Sequence, residues 1–277
     1  MIHKGAVFAS LIFSVAGMVF VDAAPLEKVQ QNGSLRLCAN PAALPHSNRS
    51  GYPSLPGFQV ELAEAIAREM GLGLTVTWIR TPNAAAKAGC DASMDSIPLT
   101  ASYQREGRVG PLMGSPLPLR FTKPYAASGV FLVVRSDSPA RSFGDLQDQK
   151  VGVVVGSVEH EWLSRNGLRV SVFAFQEEIV AAVEVGEIGA GAVSQPIVGW
   201  YRHEHPDAKV MIPDGYEPVA MLRWNVAIGL WNADDAMVTA VDAAIDRAIE
   251  KRIPHRIYAK YGTAYYPPFI EQPSIRP

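Results

Sequence analysis

Thiols are scarce in this 277-residue chain, with Cys38 and Cys90 as its only cysteines. They stand about 50 residues apart, which excludes a CxxC redox pair and a cysteine-rich zinc module. Net charge is also nearly absent: 25 Lys plus Arg against 27 Asp plus Glu leaves −2. No broad cationic face is available for a phosphate backbone, so nucleic-acid binding is not expected. The Gly-x-Ser-x-Gly elbow of serine hydrolases is missing, and no Cys-His arrangement replaces it. Glu159-His160-Glu161 and His203-Glu204-His205 are the clusters that suggest a metal, but neither has the i, i+4 pair that shares one helix face. They read as solvated helix ends, and neither a metal nor a cofactor is expected. What the chain does have is 48% apolar and 19% charged residues, enough for a real core and unlike a disordered chain. At roughly 150 residues per domain, the length allows about two domains or one large one.

The first two dozen residues differ from the rest. His3 and Lys4 precede an apolar run from Ala6 to Val21, and Val21-Asp22-Ala23-Ala24 ends it in small residues. That order describes a secretory signal peptide over residues 1–23, cleaved after Ala23. The run is short for the roughly 30 Å of a bilayer core, and no basic stop signal follows directly, although an uncleaved anchor is the alternative. No cysteine follows for lipid attachment. The expected mature chain is exported, periplasmic and not inserted in the membrane. In an oxidising compartment an even cysteine count favours a Cys38–Cys90 disulfide over two buried thiols. Closing that loop would stabilise the fold by about 4 kcal/mol in the chain-entropy picture.

Behind the signal, Leu35-Arg36-Leu37-Cys38-Ala39 reads as a strand ending at Asn40-Pro41, followed by a turn-rich loop from Pro45 to Gly57. Leu62, Ile66 and Met70 are spaced four apart in a charged stretch that Gly71 stops, predicting an amphipathic helix. Leu74 to Ile79 reads as a strand, Asn83 to Ala88 as a short helical piece, and Asp91-Ala92-Ser93-Met94 as another strand. A second α/β unit repeats the pattern from the apolar strand Gly129–Val134 through Val151–Val155, Val170–Phe175 and Gly189–Val193, with helices between. Asn225–Leu230 returns as a strand. Met237, Val241, Ile245 and Ile249 then mark a final helix that needs a sheet to cover.

Two α/β lobes imply a cleft beyond the carboxyl ends of their strands. Those ends are Asn40, Asp95-Ser96, Gly156-Ser157 and Ser194-Gln195. The Gly156-Ser157 turn at a helix start should present free backbone N–H groups to an anion. Asp95 could serve as an ammonium partner or a base, or could cap the next turn.

The order Leu35–Asn40, Gly57–Ala67, Phe121-Thr122-Lys123-Pro124-Tyr125, Val151–Ser157 and Ile257–Gly262 resembles the family 3 periplasmic solute-binding proteins of the two-lobe, type II kind. The resemblance implies an α/β fold of two lobes, each a mostly parallel sheet flanked by helices, joined by two hinge strands. Lobe one would comprise residues 25–124 plus 226–277 and lobe two residues 125–225, with hinge residues at Tyr125, Gly129 and Asn225. A narrower similarity, in Cys38-Ala39-Asn40-Pro41, Pro45–Gly51, Cys90-Asp91 and Tyr265–Phe269, is to the J proteins associated with periplasmic quinoprotein methanol and alcohol dehydrogenases. His46 stands where that subgroup usually has an aromatic.

Departures from the amino-acid receptors bear on the ligand, because an α-amino acid needs an anionic and a cationic partner. The acidic residue usual at the end of the last lobe-two strand is Ser194 here, next to Gln195. The usual small-Gly-x-Thr becomes Asp95-Ser96-Ile97-Pro98, the following cation aligns with Arg105 or Arg108, and the stacking aromatic aligns near Ala43. The expected function is non-enzymatic capture of a small polar solute for an ABC-type permease. Two other readings stand beside it: an accessory partner of a periplasmic quinoprotein dehydrogenase, using the cleft as a protein dock, and a dehydratase-like enzyme on the same scaffold.

Overall fold

The computed structural model describes residues 25–51, 54–81, 84, 88–98 and 119–270. The signal segment, most of the Asn83–Ala88 piece, Arg105 and Arg108 lie outside the described residues. A short helix α1 (Leu26–Asn32) leads into β1 (Ser34–Ala39), whose Leu35 and Leu37 are buried. β2 (Ala42–Ala43) and β3 (Ser47–Asn48) form a small antiparallel hairpin before α2 (Phe58–Glu69). Met70 caps the C-terminus of α2, and Gly71 takes the left-handed conformation at φ 74°. The chain returns in β4 (Gly73–Trp78), parallel to β1 in the register Ser34↔Gly73 to Ala39↔Trp78. β5 (Ala92–Ser96) lies on the other side of β1.

After β6 (Leu119–Phe121), the long β7 (Ala126–Arg135) leaves this first lobe for the second. Its apolar run is buried on both faces, as strands between two helical layers are. Val130, Leu132 and Val134 pack with Val151, Val153 and Leu163, while Val133 packs with Ile179, Val183 and Val193. The second lobe contains β8 (Lys150–Val154), α3 (Val158–Arg165), β9 (Arg169–Phe173), α4 (Gln176–Glu184), β10 (Ala190–Ser194), α5 (Gln195–Glu204) and β11 (Val210–Met211). β12 (Arg223–Trp231) then carries the chain back, paired antiparallel to β7 from Arg223↔Gly129 to Val226↔Ala126. The strand order β4-β1-β5-β12-β7-β10-β8-β9 therefore runs through both lobes, with the β7–β12 ribbon at its centre.

The helix that needed a sheet finds one in the first lobe. α6 (Asp235–Glu250) buries Met237, Val241, Ala244, Ile245 and Ala248 in the same core as Leu35, Leu37, Ile66 and Leu230. α7 (Ile253–Lys260) follows it without a sequence expectation, and its Pro254 occupies the first turn, where proline is tolerated. Glu69 at the end of α2 receives Lys251 and Arg247 across the helices, and the Lys251 bond is the main reason its carboxyl pKa is lowered. On the opposite face of this sheet, Cys38 and Cys90 form the expected disulfide, with Cα atoms 5.6 Å apart, beside Trp231. Next to it the buried Asp91 accepts from the Arg36 backbone at 2.9 Å and from its guanidinium at 2.6 and 3.1 Å.

Beyond α7 the chain does not end at the lobe. Thr263 Oγ1 donates to the buried Gln195 Oε1 at 2.6 Å, and the Ala127 N–H donates to the Tyr266 carbonyl at 2.9 Å. Asn225 then closes a two-way clamp: its Nδ2 donates to the Phe269 carbonyl at 3.1 Å, and the Phe269 N–H donates to its Oδ1 at 2.8 Å. The tail thus lies along the free edge of β7 at the hinge and is tied to the second lobe as well.

Candidate functional site

The strand ends that sequence reasoning singled out are distributed over both lobes, but their groups are not equally available. Asn40 follows β1 and is exposed; its Oδ1 accepts the Ala42 N–H at 2.9 Å, and its carbonyl accepts the Ser47 hydroxyl at 2.8 Å. Its side chain holds the hairpin turn. Ser96 closes β5 with its hydroxyl 3.2 Å from that of Ser93. Asp95 is different. It is exposed, yet the surrounding protein desolvates it and raises its carboxyl pKa, with its own backbone amide pulling weakly the other way. No cation among the described residues offsets that desolvation.

On the second lobe the expectation of free turn amides is corrected. The Gly156 N–H donates to His160 Nδ1 at 3.1 Å, and the Ser157 N–H donates to the Val154 carbonyl at 3.2 Å. Ser157 is the N-cap of α3, its hydroxyl accepting the His160 N–H at 3.2 Å. The imidazole four residues on has filled the place an anion would take. Glu159, expected at a solvated helix end, is instead 6% exposed, and burial raises its pKa. At the end of β10 the Ser194 N–H donates to Gln176 Oε1 at 2.7 Å, while its hydroxyl is buried without a partner. Gln195, 9% exposed, spends its carbonyl on Thr263.

The residues expected at the hinge are held by contacts within the fold. Tyr125 is 2% exposed; its hydroxyl donates to the Met94 carbonyl at 2.6 Å, and its carbonyl accepts from the Tyr265 hydroxyl at 2.7 Å. Burial pushes its phenol pKa up, with Tyr258 and the nearby Asp95 adding to the rise. At Gly129 a Cβ would lie 2.7 Å from the Leu222 carbonyl, so only glycine lets the returning chain pass so close.

Beside this ribbon lies a cavity of about 370 Å³ that sequence reasoning did not foresee. Its wall includes His46, Phe58 and Gln59 from the first lobe, Phe131 and Tyr216 from the second, and Tyr266 and Phe269 from the tail. The His46 ring lies tilted against that of Phe58, with centroids 4.8 Å apart, and burial pushes its imidazole down to about 4, so it is neutral near pH 7. Its backbone is held against Gly57, whose φ of 94° and missing Cβ allow the approach: a Cβ there would fall 2.3 Å from the His46 carbonyl oxygen. The one available sequence signal was the aromatic density of Tyr265–Phe269, which carries no periodicity to show where the tail goes.

Comparison with known proteins gives this geometry a context. Residues 35–264 match the model of the bacterial extracellular solute-binding proteins, family 3. The chain is 25% identical over 183 residues to the L-cystine-binding protein TcyJ of Escherichia coli (strain K12), a match covering 63% of this chain and 63% of that protein. It therefore spans less than two thirds of the length of the curated relatives it matches. Among solved structures, the unliganded, open L-cystine solute receptor of Neisseria gonorrhoeae superposes with a TM-score of 0.69 at 18% identity, covering 86% of this chain and 96% of that one. An ancestral cationic amino acid solute-binding protein superposes with a TM-score of 0.67, also at 18% identity, covering 86% and 99%. At that identity the two structures speak to the fold alone, which is the two-lobe type II arrangement.

Proposed function

The chain belongs to the bacterial extracellular solute-binding proteins, family 3, and from that premise we propose that it captures a small polar solute bearing an ammonium group between its lobes, for an ABC-type permease. The carrying observation is Asp95: an exposed carboxylate at a strand end, desolvated, with no cation among the described residues beside it. A charge whose hydration the surrounding protein curtails is relieved by a ligand of opposite sign. The reading moves the ammonium partner from the end of β10, where Ser194 carries no charge, to the end of β5. It is in keeping with a relative named for L-cystine binding. Ser96, Ser157 and Ser194 would supply neutral hydrogen bonds, and Arg105 the cation for an accompanying carboxylate. Closure would rotate the lobes about the β7–β12 ribbon near Tyr125, Gly129 and Asn225.

Calorimetric titration with amino acids, cystine and simple amines tests this. The expected result is 1:1 binding of at least one ammonium-bearing solute, weakened tenfold or more by Asp95→Asn. Affinity should fall as pH is lowered through the raised pKa of Asp95, because protonation removes the anion. Unchanged affinity in the variant, together with a flat pH profile, would assign the ammonium to another group and sink the reading.

A second reading, a docking partner for a periplasmic quinoprotein dehydrogenase, is favoured by one observation. The Gly156 and Ser157 amides that would hold a ligand anion are already occupied within the chain. Co-purification with such a dehydrogenase and no thermal shift with any small solute would select it.

A further inference from the structure

The cavity beside the hinge ribbon has a chemistry of its own. Aromatic rings make up much of its wall, and two polar atoms interrupt it without partners: Tyr216 Oη and Arg223 Nε are both buried and make no hydrogen bond. Buried polar groups are nearly always paired, so two orphans lining one cavity ask for an occupant. We propose that this cavity is a second ligand site, separate from the strand-end cleft, for a planar aromatic carboxylate.

Each part of the wall selects a part of that molecule. The guanidinium of Arg223 lies 5.0 Å over the Phe269 ring, which fixes the plane of a group whose N–H fork suits a carboxylate. The Tyr216 hydroxyl can donate to the same anion. Phe58, Phe131 and the neutral His46 offer ring faces and edges rather than charge. Glu217, the acidic residue on the wall, is exposed, where solvent screens its opposition to an anion. A volume of about 370 Å³ is at the small end of ligand pockets and suits one or two fused rings.

The site is also distinct in place. Asn40, Asp95, Ser96, Ser157 and Ser194 are not on its wall, and Gln195, which is, has its carbonyl committed to Thr263. Because the wall draws on both lobes, the ribbon and the tail, an occupant would fix the angle between the lobes.

The test uses the purified chain and three probes of one shape: 2-naphthoate, 2-naphthylmethanol and 2-naphthylmethylamine. Calorimetry should show 1:1 binding of the naphthoate, at least tenfold tighter than the alcohol, with the amine weaker still. Arg223→Met should weaken naphthoate binding tenfold or more. Tyr216→Phe, which removes only the hydroxyl and keeps the packing, should weaken it several-fold with the melting temperature retained. The proposal is overturned by no binding of naphthoate up to millimolar concentration, or by equal affinity for acid and alcohol. It is equally overturned if Tyr216→Phe leaves naphthoate binding unchanged, or if Asp95→Asn abolishes it while Tyr216→Phe does not, since that would put the probe in the main cleft.

Discussion

Asn225→Ala should separate the tail from the hinge. Asn225 is 2% exposed, and its side chain makes both bonds to Phe269. Deleting it leaves the Phe269 amide and carbonyl with two choices. If they stay in place, two backbone groups lose their partners; if the tail lifts away to find water, the contact between Phe269 and Arg223 goes as well. A net hydrogen bond contributes about 1 kcal/mol and an abandoned buried group costs about 1–3 kcal/mol, so the expected loss is about 2–3 kcal/mol. For a chain of this size that is roughly 5–10 °C in Tm. Urea unfolding followed by circular dichroism measures the loss, and hydrogen exchange at the Phe269 amide locates it. A loss below about 0.5 kcal/mol with unchanged protection of that amide would refute the clamp, because the tail would then be held by something other than Asn225.

Three more perturbations follow from the same structure. Replacing both cysteines by serine, or adding reductant, should lower stability by about 4 kcal/mol through the freed loop, read from the urea midpoint; a change under about 1 kcal/mol would mean that the unfolded chain gains no freedom. Gly57→Ala should cost about 3 kcal/mol or more, or prevent folding, since the new methyl meets the His46 carbonyl and the residue sits at φ 94°; a folded variant with near-normal Tm contradicts the close approach. His46 has its pKa depressed to about 4, against about 6.5 when unfolded, so the unfolded state binds the proton first. Its stabilising contribution is complete above about pH 6.5 and declines as pH falls toward 4. His46→Gln should lose that part of the acid limb when urea midpoints at pH 5 and pH 7 are compared, and an identical pH difference in both proteins would refute the burial argument.

Much of the fold is visible in local pattern because its causes are local. The spacing of Leu62 and Ile66, the stop at Gly71 and the apolar run of β7 each state their own environment, and the uncovered face of α6 points to a distant sheet. The two hinge strands came from resemblance. What the sequence conceals are choices between partners. Gly156-Ser157 looks like an anion turn, yet an imidazole four residues on takes the Gly156 amide. Asn40 stands at a strand end, but its amide oxygen is drawn into its own turn. Gln195 was expected to meet a ligand and meets Thr263, 68 residues away, which no local signal records. The aromatic cavity is legible only after folding, since its wall is gathered from five separated stretches of chain.

The course of the tail alters the mechanics of the joint. A pair of strands can twist as a simple pivot, whereas a further strip of backbone fastened at Thr263, Tyr266 and Phe269 acts as a stay across it. Any swing of one half against the other must either carry that stay along or shear its fastenings. The stiffness of the joint is therefore set outside the strand-end cleft, by the fastenings of the tail.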